Sequence, residues 1–342
     1  MNASSVNRRI LLARRPEGAP VAEDFRTVQE PPPTPKAGQA LLRTLYLSLD
    51  PYMRGRMSDA PSYAEPVALG DTMCGQTVSR VVHSNDARFK AGDLVLANSG
   101  WQDYAVEGAS TLTKLDSSMP RPSYALGLLG MPGLTAYVGL LDIGQPKAGE
   151  TVVVTAATGA VGSVVGQIAK LKGCRTVGVA GGTEKCAFAV ATLGYDACID
   201  HRAPDFPQLL AKACPKGVDV YFESVGGAVM AAAWPLLNVR ARVPLCGLVA
   251  YYSLKSLPAG PDHTPVLLRQ MLVKRIRMQG FIIFDHFDRR GDFLRDMSGW
   301  LGQEKLKYRE EVLEGLGRAP AGLIGMLRGD NFGKLVVKVA DG

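Results

Sequence analysis

From Thr151 to Ala169 the chain runs without a charged residue, and inside that run stands Ala156-Ala157-Thr158-Gly159-Ala160-Val161-Gly162-Ser163-Val164-Val165-Gly166. A glycine-rich turn that leaves a strand and opens a helix lets the backbone approach a pyrophosphate. The helix start adds free N–H groups and the positive end of a dipole. Thr158, Gly159, Ala160, Val161 and Gly162 would form that turn. Ala157 stands where a G-x-G-x-x-G run has its first glycine, so the pattern is incomplete, and the same glycines also fit a ligand-free packing seam. The setting favours a dinucleotide: a strand precedes the turn, a helix follows, and 151–180 reads as one βαβ unit. An NAD site usually ends its second strand on an acid that holds the ribose hydroxyls. Here that strand ends Val179-Ala180-Gly181-Gly182-Thr183, and Lys185 follows. A lysine in place of the acid suits a 2′-phosphate, so NADP(H) is the expected cofactor. Glu184 leaves NAD open, and a solvated helix face is the competing reading of Lys185.

Other chemistries find less support. Cys74, Cys174, Cys186, Cys198, Cys214 and Cys246 form no Cys-x-x-Cys pair and the four His are scattered, so no metal site is expected. With no leader-like N-terminal segment, the thiols read as reduced and the protein as cytoplasmic. The net charge of +7 is spread along the chain with no aromatic-interleaved basic block, which argues against nucleic acid. The uncharged run is long enough for a bilayer. Its three glycines and its Thr, Ser and Gln residues fit a buried strand and helix better, so no membrane span is expected. With 46% hydrophobic and 21% charged residues in 342, the chain is globular, and its length suggests two domains.

The first 120 residues read as short strands and turns (39–47, 76–83 and 93–97 among them), a β-barrel-like unit. Helical texture begins at 123–129 and 134–142. Strands at 151–156, 175–180, 197–200, 218–222, 242–246 and 278–284 then alternate with helices at 161–171, 183–193, 205–213 and 228–237. That rhythm predicts an α/β fold with a doubly wound parallel sheet. A helix near 288–301 follows, and 309–339 returns to short strands and turns.

Five stretches carry a resemblance: Leu45–Met57 (LYLSLDPYMRGRM), Gly130–Tyr137 (GMPGLTAY), Thr158–Cys174 (TGAVGSVVGQIAKLKGC), Val225–Gly227 and Met326–Val339 (MLRGDNFGKLVVKV). With them the chain resembles the zinc-independent medium-chain dehydrogenase/reductases, in the leukotriene hydroxydehydrogenase, prostaglandin reductase and alkenal double-bond reductase group. The resemblance implies a GroES-like β-barrel catalytic domain (1–125 and 305–342) and an NADP-binding Rossmann domain (126–304). It also implies a homodimer joined near 278–284, where an apolar sheet edge would otherwise stay open.

In that family NADPH reduces the C=C bond of α,β-unsaturated aldehydes and ketones at the β-carbon, and hydrogen-bond donors must stabilise the enolate oxygen. The resemblance places Tyr252 and Tyr52 as those donors, with Tyr251 the neighbour most easily confused with Tyr252. It places Pro51, Met131, Thr135, Gly182, Cys246, Gly247, Phe281, Ile282, Ile283 and Asn331 at the cofactor. His201 stands where the family usually has Tyr and Ser224 where it has Asn, both cofactor positions. The segments that bind zinc in related enzymes lack their Cys and His here, around 48–50 and 69–71. A quinone reductase and a non-catalytic NADP(H)-binding protein are the alternatives. The substrate pocket is expected at 53–63 and 251–263.

Overall fold

The computed structural model describes residues 6–116, 119–256 and 260–341, so 257–259 of the second expected pocket loop lie outside the described residues. The chain divides into two compact units, Met1–Gly127 with Glu310–Gly342, and Leu128–Arg309. The first unit opens with strands β1 (Asn7–Leu12), β2 (Phe25–Glu30) and β3 (Gln39–Ser48), then one helical turn, α1 (Tyr52–Arg56). Strands β4 (Thr77–Ser84), β5 (Leu94–Ala97), β6 (Tyr104–Gly108) and β7 (Thr113–Lys114) follow.

The second unit begins with α2 (Met131–Val138) and then alternates: β8 (Thr151–Val154), α3 (Gly162–Leu171), β9 (Arg175–Ala180), α4 (Thr183–Ala191), β10 (Ala197–Asp200), α5 (Phe206–Ala213), β11 (Val218–Phe222), α6 (Gly227–Ala233), β12 (Leu237–Leu245), α7 (Thr264–Lys274), β13 (Arg277–Gly280) and α8 (Arg290–Gly302). The tail rejoins the first unit with β14 (Glu310–Glu314), α9 (Ala319–Leu327) and β15 (Lys334–Lys338).

The first unit's larger sheet runs β14-β15-β3-β4-β5-β7, with β6 also on β3. Its core gathers Leu47, Leu49, Met53 and Trp101 with Leu316, Leu323 and Leu335 from the tail, all buried. A buried ion pair ties the same pieces together. Lys334 Nζ donates to Ser48 Oγ (2.6 Å), the Leu49 carbonyl (2.9 Å) and Asp50 Oδ1 (2.6 Å), so each ammonium proton has a partner where a lone charge would be costly. That network fixes the Asp50-Pro51 turn from which α1 starts.

The second unit's sheet has the order β10-β9-β8-β11-β12-β13, every pair parallel. All four residues of β8 are buried, as a central parallel strand covered on both faces requires. The chain order reverses between β8 and β11, the switch point beside which such sheets bind ligands at their carboxyl ends.

Five elements differ from the sequence reading. The helix expected at 228–237 ends at Ala233, and β12 begins at Leu237, five residues early; Arg240 at φ +66° and a register shift between Val218 and Val220 absorb the difference as a bulge. The sixth strand stops at Gly280, and Ile283–Arg289 is 3-10 helix. Helix α7 was not anticipated, and the tail holds α9 where only strands and turns were expected.

Candidate functional site

The turn between β8 and α3 shows why its residues are small. Ala156 takes φ +48°, and its carbonyl accepts the Gly159 N–H at 2.8 Å. A β-carbon on Gly162 would collide with that carbonyl. No side chain caps α3; Ser163 N and Val164 N donate to the Gly159 and Val161 carbonyls, each at 3.0 Å, and the positive end of the helix dipole faces the turn. Gly166 serves packing: a β-carbon there would run into the ring of Tyr195, whose hydroxyl donates to the Gly162 carbonyl at 2.7 Å. Burial raises the Tyr195 phenol well above its usual pKa, so it stays a donor and pins the first turn of α3.

At the end of β9, Gly182 has φ +97° and caps α4, with its N–H on Asp200 Oδ1 at 2.9 Å. The same oxygen accepts the Arg202 N–H at 2.9 Å, so Asp200 holds the two loops side by side. A β-carbon on Gly181 would stand 3.0 Å from His201 Nε2 and 3.2 Å from Arg202 Nε. Partial burial, then the charges of Arg202 and Lys185, lower the His201 pKa from its usual value. Lys185, His201 and Arg202 thus form one basic group around the diglycine. The sequence reading missed Arg202; its only signal there was a second base next to His201.

At the ends of β11 and β12 the chain folds tightly. Ser224 N donates to Thr155 Oγ1 at 2.8 Å, and its side chain hydrogen-bonds Cys246. Burial pushes the Cys246 thiol up to about 12, which makes it an inert packing group. The two neighbouring tyrosines have different positions. Tyr251 accepts the Gly227 N–H at 2.9 Å and lays its ring against Gly226. Tyr252 is half-buried, with its phenol oxygen 3.0 Å from where a Gly247 β-carbon would be and 3.4 Å from the Leu248 nitrogen. Burial raises its pKa above the ordinary phenol value, so it is protonated at neutral pH and can donate.

Met131 and Thr135 lie one turn apart on α2, joined by Thr135 Oγ1 to the Met131 carbonyl at 2.8 Å. Phe281, Ile282 and Ile283 follow β13, and Gly139 leaves room for the rings of Phe281 and Phe222.

The first unit holds the remaining three residues. Pro51 precedes α1, and Tyr52 is its first residue, with a phenol raised well above its usual value by burial and then by Asp50. Asn331 sits before β15 and donates to the Gly333 carbonyl at 2.9 Å. Among the described residues, no group of three or more His, Cys, Asp or Glu could hold a metal ion.

Two family models match the chain: "N-terminal domain of oxidoreductase" at residues 8–115 and "Zinc-binding dehydrogenase" at 160–298. The chain is 58% identical to NADPH-dependent curcumin reductase of Escherichia coli over 98% of its own length and 97% of that protein's. It is 41% identical to prostaglandin reductase 1 of Bos taurus over 94% and 95%. The crystal structure of CurA in complex with NADPH from Vibrio vulnificus superposes with a TM-score of 0.95 at 58% identity, covering 98% of this chain and all of that one. With these similarities along nearly its whole length, the chain belongs to the zinc-independent medium-chain dehydrogenase/reductases, in the group of the curcumin and prostaglandin reductases.

Proposed function

We propose that this protein uses NADPH to reduce the C=C bond of α,β-unsaturated aldehydes and ketones. The observation that carries the reading is the protonated phenol of Tyr252 over Gly247, in the same unit as the dinucleotide turn. The protein is an NADP(H)-dependent oxidoreductase acting on C=C bonds. When bound, NADPH would supply a hydride for the β-carbon of the substrate, and a proton reaching the α-carbon would complete the saturated product. The residues do the rest. Thr158 to Gly162 and the start of α3 hold the pyrophosphate with backbone N–H groups. Gly182, Lys185, His201 and Arg202 receive the 2′-phosphate.

Met131, Thr135, Ser224, Cys246, Gly247, Phe281, Ile282 and Ile283 line the nicotinamide end. Tyr252 donates a hydrogen bond to the carbonyl oxygen as it gains enolate charge, in the role a metal has in zinc enzymes. The resemblance makes Tyr52 the second candidate donor and Pro51 and Asn331 further cofactor residues. An assay of NADPH consumption with alkenals, enones and quinones tests the reading. Turnover of alkenals and enones supports it, and turnover of quinones alone would make the protein a quinone reductase.

The assembly proposed is a homodimer formed at the β13 side of the sheet. The edge strand itself is polar and exposed, Arg277-Met278-Gln279-Gly280, not the apolar edge expected. The apolar surface lies beside it: Leu272 is 78% exposed, with Val266, Leu268 and Val273 also on α7, and Phe284 and Phe287 after the strand. So much exposed apolar area around an unpaired edge calls for a cover, and a second copy supplies a matching edge and face. Light scattering should give a dimer at micromolar concentration and a monomer for Leu272→Asp. A monomeric wild type would contradict the proposal.

A further inference from the structure

Glu223 is fully buried at the end of β11. Its Oε1 accepts the N–H groups of Val225 (2.5 Å) and Gly226 (3.0 Å), and its Oε2 accepts the Tyr221 phenol (2.5 Å). The Thr155 hydroxyl, 3.3 Å from Oε1, shares its one proton with the nearer Phe222 carbonyl at 3.1 Å. All of these donors are neutral. Its own carbonyl accepts the N–H groups of Cys246 (2.8 Å) and Gly247 (3.2 Å). One residue therefore joins the ends of β8, β11 and β12, and it stands one hydrogen bond from Gly247, the glycine that Tyr252 covers.

The joining does not require a charge. A glutamine would accept the same two backbone N–H groups and turn its amide toward the Tyr221 oxygen, without the cost of a buried carboxylate. Three donors aimed at two oxygens, two of them backbone N–H groups, are the partners a carboxylate needs.

We infer that Glu223 places a fixed negative charge beneath the nicotinamide end of the cofactor site and so favours NADP+ over NADPH there. The inference rests on the cofactor reading above. Hydride loss leaves one positive charge on the nicotinamide, and a buried carboxylate a side chain or two away stabilises it. Glu223 touches none of the reacting atoms. It acts through its charge and through the turns that it holds.

The test is equilibrium binding of NADPH and NADP+, without substrate, to wild type and Glu223→Gln. The ratio of the NADP+ to the NADPH dissociation constant should rise by about tenfold in the variant, the effect of one poorly screened charge. An unchanged ratio, whether or not both affinities fall together, would overturn the inference and leave Glu223 as a structural clamp. If Glu223→Gln does not fold by circular dichroism, Glu223→Asp replaces it and keeps the charge. Its ratio should stay within about twofold of wild type, and a larger rise would count against the inference. Failure of the wild type to bind either dinucleotide would instead overturn the cofactor reading.

Discussion

Tyr252→Phe should lower the turnover of an enone by about 10²–10³-fold, the usual contribution of one transition-state donor, and leave NADPH affinity nearly unchanged. The substitution removes only the hydroxyl, whose one protein neighbour at hydrogen-bond range is the Leu248 N–H at 3.4 Å, so the fold should not be affected. The loss then reports the hydrogen bond to the developing enolate. The nicotinamide ribose hydroxyl could share the same oxygen, and a loss of about tenfold would still identify the donor. Tyr251→Phe is the control for register, because its hydroxyl is occupied by Gly227 and its loss should spare the rate. Tyr52→Phe shows whether a second phenol shares the role. Full activity in all three variants would mean that no tyrosine stabilises the oxygen.

Lys185→Ala should weaken NADPH binding by roughly 10–150-fold, the range for one charge-assisted contact, while NADH binding stays as weak as in wild type. Arg202→Ala should shift NADPH in the same direction. The two losses should not add, because the charges of both side chains act on His201. Isothermal titration of both cofactors decides it, and equal wild-type affinities for NADPH and NADH would contradict the assignment.

The parallel sheet was legible because buried strands such as β8, β9 and β11 are short β-branched runs, and the dinucleotide turn because its glycines sit between a strand and a helix. Elsewhere the signals misled. The stretch 309–339 read as short strands and turns, yet Pro320 lies in the first turn of α9. Gly322 is there for packing, since a β-carbon would come within 2.6 Å of Leu313 and 2.8 Å of Leu49. Helix α7 shows no single apolar face. Leu267 and Met271 pack on the core while Val266, Leu268, Leu272 and Val273 are exposed, so the period that marks an amphipathic helix is missing.

For the candidate site, the sequence pointed to Lys185 by residue type and to Tyr252 through the resemblance, and to both residues the proposed roles now attach. It did not point to Arg202 or Glu223. Each depends on a loop closing back on another strand end, Arg202 on Gly181 and Glu223 on Thr155 and Cys246. Such pairings have no fixed spacing in the sequence.

The most direct test of the central claim is the product formed from an α,β-unsaturated ketone and NADPH carrying deuterium at nicotinamide C4. The account predicts a saturated ketone with one deuterium on the former β-carbon, read by mass spectrometry and NMR. An allylic alcohol labelled at the carbinol carbon, or no cofactor consumption with any enone or alkenal, would contradict it.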